Sequence, residues 1–293
     1  MRLEGRREST NVEDRRGKTV SGRAAGGMGI GTLVVIGLIY MMMGGNLGSL
    51  LNSGILETAT QTTQTTQTGS TTSYEGVDQE LVTFAKQILA GTEDVWTAIF
   101  RQMGKQYVPP KLVIFDGYVQ SACGNATSQS GPFYCSGDQC VYLDLSFFKN
   151  MRREIGADGD FAYAYVIAHE VGHHVQNLLG TLQSAHSQMS RVSKTESNRI
   201  SVRLELQADF YAGVWAYNDN KMFNSLEDGD IEEAVNAAAK IGDDYLQKQA
   251  QGYTVPDAFN HGTSAQRMRW LKKGLSTGDY RQGDTFSPAY NAL

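Results

Sequence analysis

Apolar positions along the chain fall into three regimes. From Met28 to Leu51 (MGIGTLVVIGLIYMMMGGNLGSLL) they run on without a charge, densest between Ile30 and Met43. From Glu57 to Ser73 (ETATQTTQTTQTGSTTS) they nearly vanish into Thr, Gln and Ser, which are too polar to offset the entropy of ordering. From Val77 they return at regular spacing. Leu81, Phe84, Ile88, Val95, Ile99 and Met103 recur at helical intervals, and Ala90-Gly91-Thr92 reads as a break, predicting two helices. Lys111 to Phe115, Phe133 to Cys135 and Cys140 to Leu145 are short β-branched and aromatic runs bounded by Gly, Asn, Ser and Pro, and predict a small sheet. Beyond Ser146 the pattern predicts helices over 146–155, 160–179, 182–192, 194–217, 229–249 and 264–275. Ser193-Lys194-Thr195-Glu196 and Thr263-Ser264-Ala265-Gln266 fit capping boxes, in which two side chains satisfy the free amides of a first turn. No internal repeat is evident. This order of elements predicts a mainly helical α+β domain over 74–293.

Charge sharpens the reading of the apolar run. About 20 apolar residues span a bilayer core, so residues 28–51 predict one transmembrane helix followed by a flexible linker over 52–73. Seven Lys/Arg and four Asp/Glu precede residue 28, and no Lys or Arg occurs between Ala24 and Ala85. That bias predicts a basic head over 1–27 in the cytoplasm, with the domain across the membrane. A cleaved signal peptide fits less well, because the charged region is long and no small-residue cleavage site follows closely.

Composition excludes two classes. With 41% hydrophobic residues among 293 the chain is not globally disordered, and a net charge of -5 without a basic stripe argues against nucleic-acid partners. Cys123, Cys135 and Cys140 are the only cysteines. They suit one local disulfide outside the cytoplasm plus one leftover thiol, and three connectivities are open. With no CxxC pair and no histidine among them, they do not make a zinc site. Cys135 and Cys140 flank Ser136-Gly137-Asp138-Gln139, a hairpin-like loop that would set them opposite each other without a bond.

The chemical signal is Ala168-His169-Glu170-Val171-Gly172-His173, an HExxH motif in an Ala-rich helical segment. A spacing of four puts His169 and His173 on one helical face, where two imidazoles converge on one metal while Glu170 projects beside them. Three fixed positions also arise by chance, so context matters. Catalytic zinc needs a third protein ligand and an open position. Glu205 meets the first need: 31 residues separate it from His173, enough for the chain to reverse and lay a second helix against the first. Asp209, one turn further, would accept the other ring N–H of a ligand histidine and fix its tautomer. A solvated helix face would also carry two acids, but Leu206, Ala208, Phe210, Tyr211 and Trp215 make this one too apolar for that. The other histidines read differently. His174 points about 100° away from its neighbour and reads as a packing residue, while His186 lies in polar surroundings. His261 precedes Gly262 and a helix start, from where a side chain can aim into a cleft. Arg267 opposes the macrodipole of that helix and needs an anionic partner: Asp243, Asp244 or a ligand carboxylate.

The HEVGHH block, ELQADFYAG, IGDD and HGTSAQR together resemble the bacterial neutral zinc metallopeptidase family, and the opening MRLEGRREST-NVEDRRG resembles that family's short cytoplasmic head. A wider similarity is to membrane-associated zinc peptidases with a zincin-like fold, whose third ligand sits in an ExxAD-type helix. The resemblance implies Zn2+ held by His169, His173 and Glu205, Glu170 as the catalytic carboxylate and Asp209 as the acid behind a ligand. It also implies Cys123 and Cys135 as the cysteine pair, with Cys140 as the departure. On this reading the protein is an endopeptidase of the bacterial cell envelope, single-pass in the membrane, acting on peptide or protein substrates. His261 is the candidate donor to the oxyanion, and the sheet around 133–145 offers an edge for an extended peptide. The competing readings are an inactive metal-stapled binding module and a hydrolase of a non-peptide envelope amide.

Overall fold

The computed structural model describes residues 1–17 and 75–293. The expected transmembrane helix and linker lie outside these residues. Among the described residues no helix is long and apolar enough to cross a membrane.

The predicted break at Ala90-Gly91-Thr92 is not a break. Helix α1 runs without interruption over Glu75–Gln102. Thr92 donates its hydroxyl to Leu89 O inside the helix, and Gly91 gives room to Asp219 and Arg6, which a Cβ there would meet at 2.7 and 2.9 Å. Sequence punctuation marked a packing contact.

The sheet is larger than predicted. Strands β2 (Lys111–Phe115), β5 (Phe133–Cys135) and β6 (Cys140–Asp144) were legible. Strand β1 (Val12–Asp14) and the hairpin of β3 (Tyr118–Ser121) and β4 (Gly124–Thr127) were not. The main sheet has the order β1-β2-β6-β5, with β1, β2 and β6 parallel and β5 antiparallel to β6. Strand β1 arises from the amino-terminal segment read as a separate head, which lies against the body formed by 75–293. Cys135 and Cys140 are register partners in β5 and β6, and the bond forms instead between Cys123 and Cys135, leaving Cys140 a buried thiol.

Helices follow: α2 (Ser146–Asn150, continued by a π turn over Met151–Ile155), α3 (Asp160–Leu178), α4 (Thr181–Met189) and α5 (Lys194–Phe223). Then come α6 (Asp230–Lys240), α7 (Asp243–Gln251) and α8 (Ser264–Thr277). The single helix expected over 229–249 is divided at Ile241-Gly242, where a Cβ on Gly242 would stand 2.3 Å from Ser264 N. Thr263 and Gln266 form the full capping box of α8, whereas Ser193 caps α5 by accepting from Glu196 N.

Helix α3 is the hub, packed against α1, α4, α5 and α6, with Trp96, Phe100, Phe161, Tyr165, Phe210 and Trp215 in the core around it. Burying each such side chain contributes about 1.5–3 kcal/mol. Two glycine contacts set the helix spacing. A Cβ on Gly172 of α3 would lie 3.0 Å from Ala208 O of α5, and one on Gly274 of α8 would lie 2.2 Å from Phe210 O of α5. Backbones therefore approach closely on both sides of the α5 segment that carries Glu205 and Asp209.

Candidate metal centre

The close crossing at Gly172 and Ala208 brings one turn of α3 against one turn of α5. His169 Nε2 lies 3.2 Å from Glu205 Oε2, and His173 Nε2 lies 3.5 Å from Glu205 Oε1. One donor atom from each of the three residues falls within 4.8 Å of the others. The opposite ring nitrogens are already engaged: His169 Nδ1 with Asp209 Oδ1 at 2.8 Å and His173 Nδ1 with Gln176 Oε1 at 2.9 Å. With Nδ1–H given to a fixed oxygen, each imidazole has its Nε2 turned toward the shared point, where that nitrogen, once deprotonated, offers its lone pair. That tautomer, with two imidazole nitrogens and a carboxylate oxygen converging, is the donor set zinc prefers, and the residues fit the ion.

Electrostatics agree. Glu205 is driven far below its ordinary value; burial opposes this, but the two imidazoles and His261 outweigh it. For His169, burial is overcome by the Asp209 and Glu205 carboxylates, which raise it to about 10. For His173, burial wins and lowers it. Glu205 is thus held as an anion at the point where the two Nε2 atoms converge, a charge pattern that a cation would balance.

Glu170 sits beside this group, 9% exposed. Burial pushes its carboxyl up to about 7, with Glu205 adding to the rise and His169 and the backbone of Tyr134 opposing it. Tyr134 belongs to the edge strand β5, and its hydroxyl is pinned by His174 Nδ1 and Asn177 Nδ2 at 3.0 Å each. His174 is fully buried, accepts that frame on one side and contacts Val108 O at 2.7 Å on the other, in keeping with a packing role. His186 is exposed, as expected.

Arg267 reaches the frame by a partner the sequence did not reveal. It holds Asp209, not Asp243, Asp244 or a ligand, through two 2.9 Å bonds. Asp243 instead accepts the backbone amides of Asn260, His261 and Gly262 at 2.7–2.9 Å and contacts His261 Nδ1 at 3.1 Å. That leaves His261, 45% exposed, with its Nε2 free of this clasp and its charge felt at Glu205. Tyr165, Gln176 and Gly172 were missed. Tyr165 and Gln176 stand at i−4 from His169 and i+3 from His173, a helical signal that was available. A cavity of about 540 Å³ lined by Leu179, Gln188, Gln207, Tyr280 and Phe286 lies beside the frame and includes none of the three converging residues.

A family model described as "Putative neutral zinc metallopeptidase" matches residues 1–286. The chain belongs to this family. It is 48% identical over 290 residues to the uncharacterized protein YpfJ of Escherichia coli K12, covering 98% of this chain and 99% of that protein. It is 42% identical over 202 residues to the uncharacterized proteins Mb2605 of Mycobacterium bovis and Rv2575 of Mycobacterium tuberculosis, covering 66% of this chain and 67% of each. No solved structure matches. The match spans both α3 and α5, and so includes His169, His173 and Glu205.

Proposed function

We propose that the protein is a zinc-dependent endopeptidase, with the ion held by His169, His173 and Glu205 and the reaction's proton carried by Glu170. The observation that supports this most is the buried carboxyl of Glu170 beside a His/His/Glu set whose Nδ1 atoms are both spoken for. A site that only stapled two helices would gain nothing from an extra buried acid, which costs free energy to keep there.

When bound, zinc supplies a Lewis acid that makes water more acidic and polarises a carbonyl. Glu170, poised near neutrality, takes the proton of the attacking water and then gives it to the leaving amine. His261, turned by Asp243, donates to the oxyanion, and its imidazolium form is favoured because Asp243 and Glu205 outweigh its burial. Strand β5 has β6 as its one neighbour strand among the described residues. An extended peptide pairs along its other side, next to Glu170, so recognition rests on backbone bonds and is tolerant of sequence.

The test is metal analysis of the full chain together with digestion of a broad peptide library. One zinc per chain and cleavage that disappears in Glu170→Gln are expected. A zinc-loaded chain that hydrolyses only non-peptide amides would replace the substrate class, and one that hydrolyses nothing would reduce the site to a structural staple.

A further inference from the structure

A second group of acids, Asp160, Asp230 and Glu233, gathers where α3 and α6 begin. The chain itself meets it. The Met1 ammonium lies 2.6 Å from Asp160, 3.1 Å from Glu227 and 3.4 Å from Asp230. From there residues 1–17 cross the body as a strap. Arg6 holds both oxygens of Asp219 on α5 at 2.8 and 3.2 Å and lies over the Phe223 ring. Arg7 bonds Glu93 and Asp94 on α1 at 2.9 and 2.7 Å. Ser9 and Asn11 both donate to Glu93 Oε1, at 2.6 and 2.8 Å. Strand β1 then pairs with β2, Val12 opposite Leu112 and Asp14 opposite Ile114.

Asp219 is 1% exposed and Glu93 is 7% exposed. Buried carboxylates are tolerated when paired and strongly destabilising when stranded, and these two receive their charge partners from the strap. The five arginines of residues 1–17 are likewise engaged: Arg2 with Glu227, Arg6 with Asp219, Arg7 with Glu93 and Asp94, Arg15 with Glu13, Arg16 with Asp14. Five of the seven Lys/Arg that gave the segment the look of a cytoplasmic head are thus paired with carboxylates within the fold.

We infer that residues 1–17 and the 75–293 body fold as one unit on the same side of any membrane. The arrangement expected from charge bias, one crossing with the head on one side and the domain on the other, separates these partners by a hydrocarbon core of about 30 Å. Contacts of 2.6 to 3.4 Å do not form across it. The family match, which runs from residue 1 through 286, treats the strap and the body as one extent.

The experiment uses the full chain in oriented membrane vesicles, with a cysteine introduced at an exposed strap position (Glu4→Cys) or an exposed body position (Arg191→Cys). A membrane-impermeant maleimide is added before and after permeabilisation, with the parent chain as background. Both positions should react alike, either both before or both only after. Reaction of one before permeabilisation and the other only after overturns the inference. A second measurement addresses docking: Arg6→Ala should lower Tm by several degrees in the parent and by clearly less in an Asp219→Asn background, because the pair is coupled. Equal shifts in the two backgrounds, or none, overturn it as well.

Discussion

Arg267 grips both oxygens of Asp209, Nε to Oδ2 and Nη2 to Oδ1 at 2.9 Å each, with neither side chain more than 4% exposed. Asp209 also meets His169 Nδ1 at 2.8 Å and accepts from the Tyr165 hydroxyl at 2.6 Å. Burial would raise its pKa, but Arg267 and then His169 outweigh that and hold it low. Arg267 thereby holds low the carboxylate that meets Nδ1 of His169, the imidazole proposed above as a zinc ligand. Its awkward place in the first turn of α8 is compensated by this bidentate pair.

Arg267→Met should therefore do two things. Stranding Asp209 should cost about 3–5 kcal/mol of stability, and zinc affinity should fall about 10–100-fold, as for other losses behind a ligand. Arg267→Lys keeps the charge without the fork and should lie between. Unfolding curves and chelator competition measure the two effects. Parent-like zinc affinity in a destabilised Arg267→Met protein would make the residue a structural ion-pair partner only.

Glu170→Gln should abolish hydrolysis while zinc stoichiometry stays at the parent level, since Glu170 is assigned to proton transfer and not to coordination. Glu205→Ala should lose zinc far more completely than Asp209→Ala. Loss of zinc in the Glu170 variant, or equal zinc affinities for the other two, would redraw the ligand set.

The parts legible in the sequence are those whose geometry is local. His169 and His173 share a face because a helix repeats every 3.6 residues, and Glu205 with Asp209 follow the same rule on an apolar helix. Most helices were readable for that reason. The parts that were not legible depend on tertiary contact. Arg267 is 58 residues from Asp209, and nothing near either residue names the other. Strand β1 is Val12-Glu13-Asp14, too short and too acidic to show alternation, and it is a strand because β2 offers an edge. Gly91 and the 241–242 junction show the converse error. A glycine needed for close approach resembles one that ends a helix, while a true division hid inside continuous helical periodicity.

Activity should fall as pH drops, with an acid limb set by Glu170. Its carboxyl, ordinarily at 4.5, is raised to about 7 by burial, and a bound dication adjacent to it acts in the opposite direction. The base works only when deprotonated, so kcat/KM should rise with pH through a midpoint between those two values. The measurement is a pH profile at saturating zinc, paired with zinc stoichiometry at each pH. A midpoint outside that interval, at constant zinc content, would assign the limb to a different group.

Gly172→Ala separates helix stability from site geometry. Alanine favours a helix over glycine by about 1 kcal/mol, so α3 itself should gain. The new Cβ, however, would stand 3.0 Å from Ala208 O and 3.1 Å from Ala208 Cα. Both atoms are backbone, so the only relief is for α3 and α5 to part by a few tenths of an ångström. Ala208 lies between Glu205 and Asp209, and the displacement passes directly to Glu205, the proposed third ligand, and to Asp209, the partner of His169. A misplacement of about 1 Å costs about 100-fold in rate, so a shift of this size should cost on the order of tenfold in kcat/KM, with a weaker hold on zinc and a Tm near the parent's. Gly213→Ala is the contrasting variant, because its Cβ would meet Leu271 O at 2.4 Å and drive α8 from α5. That change should lower Tm markedly and release Arg267 from Asp209. A Gly172→Ala protein with parent-like zinc affinity and rate would mean that the close crossing serves packing alone and does not position the metal centre.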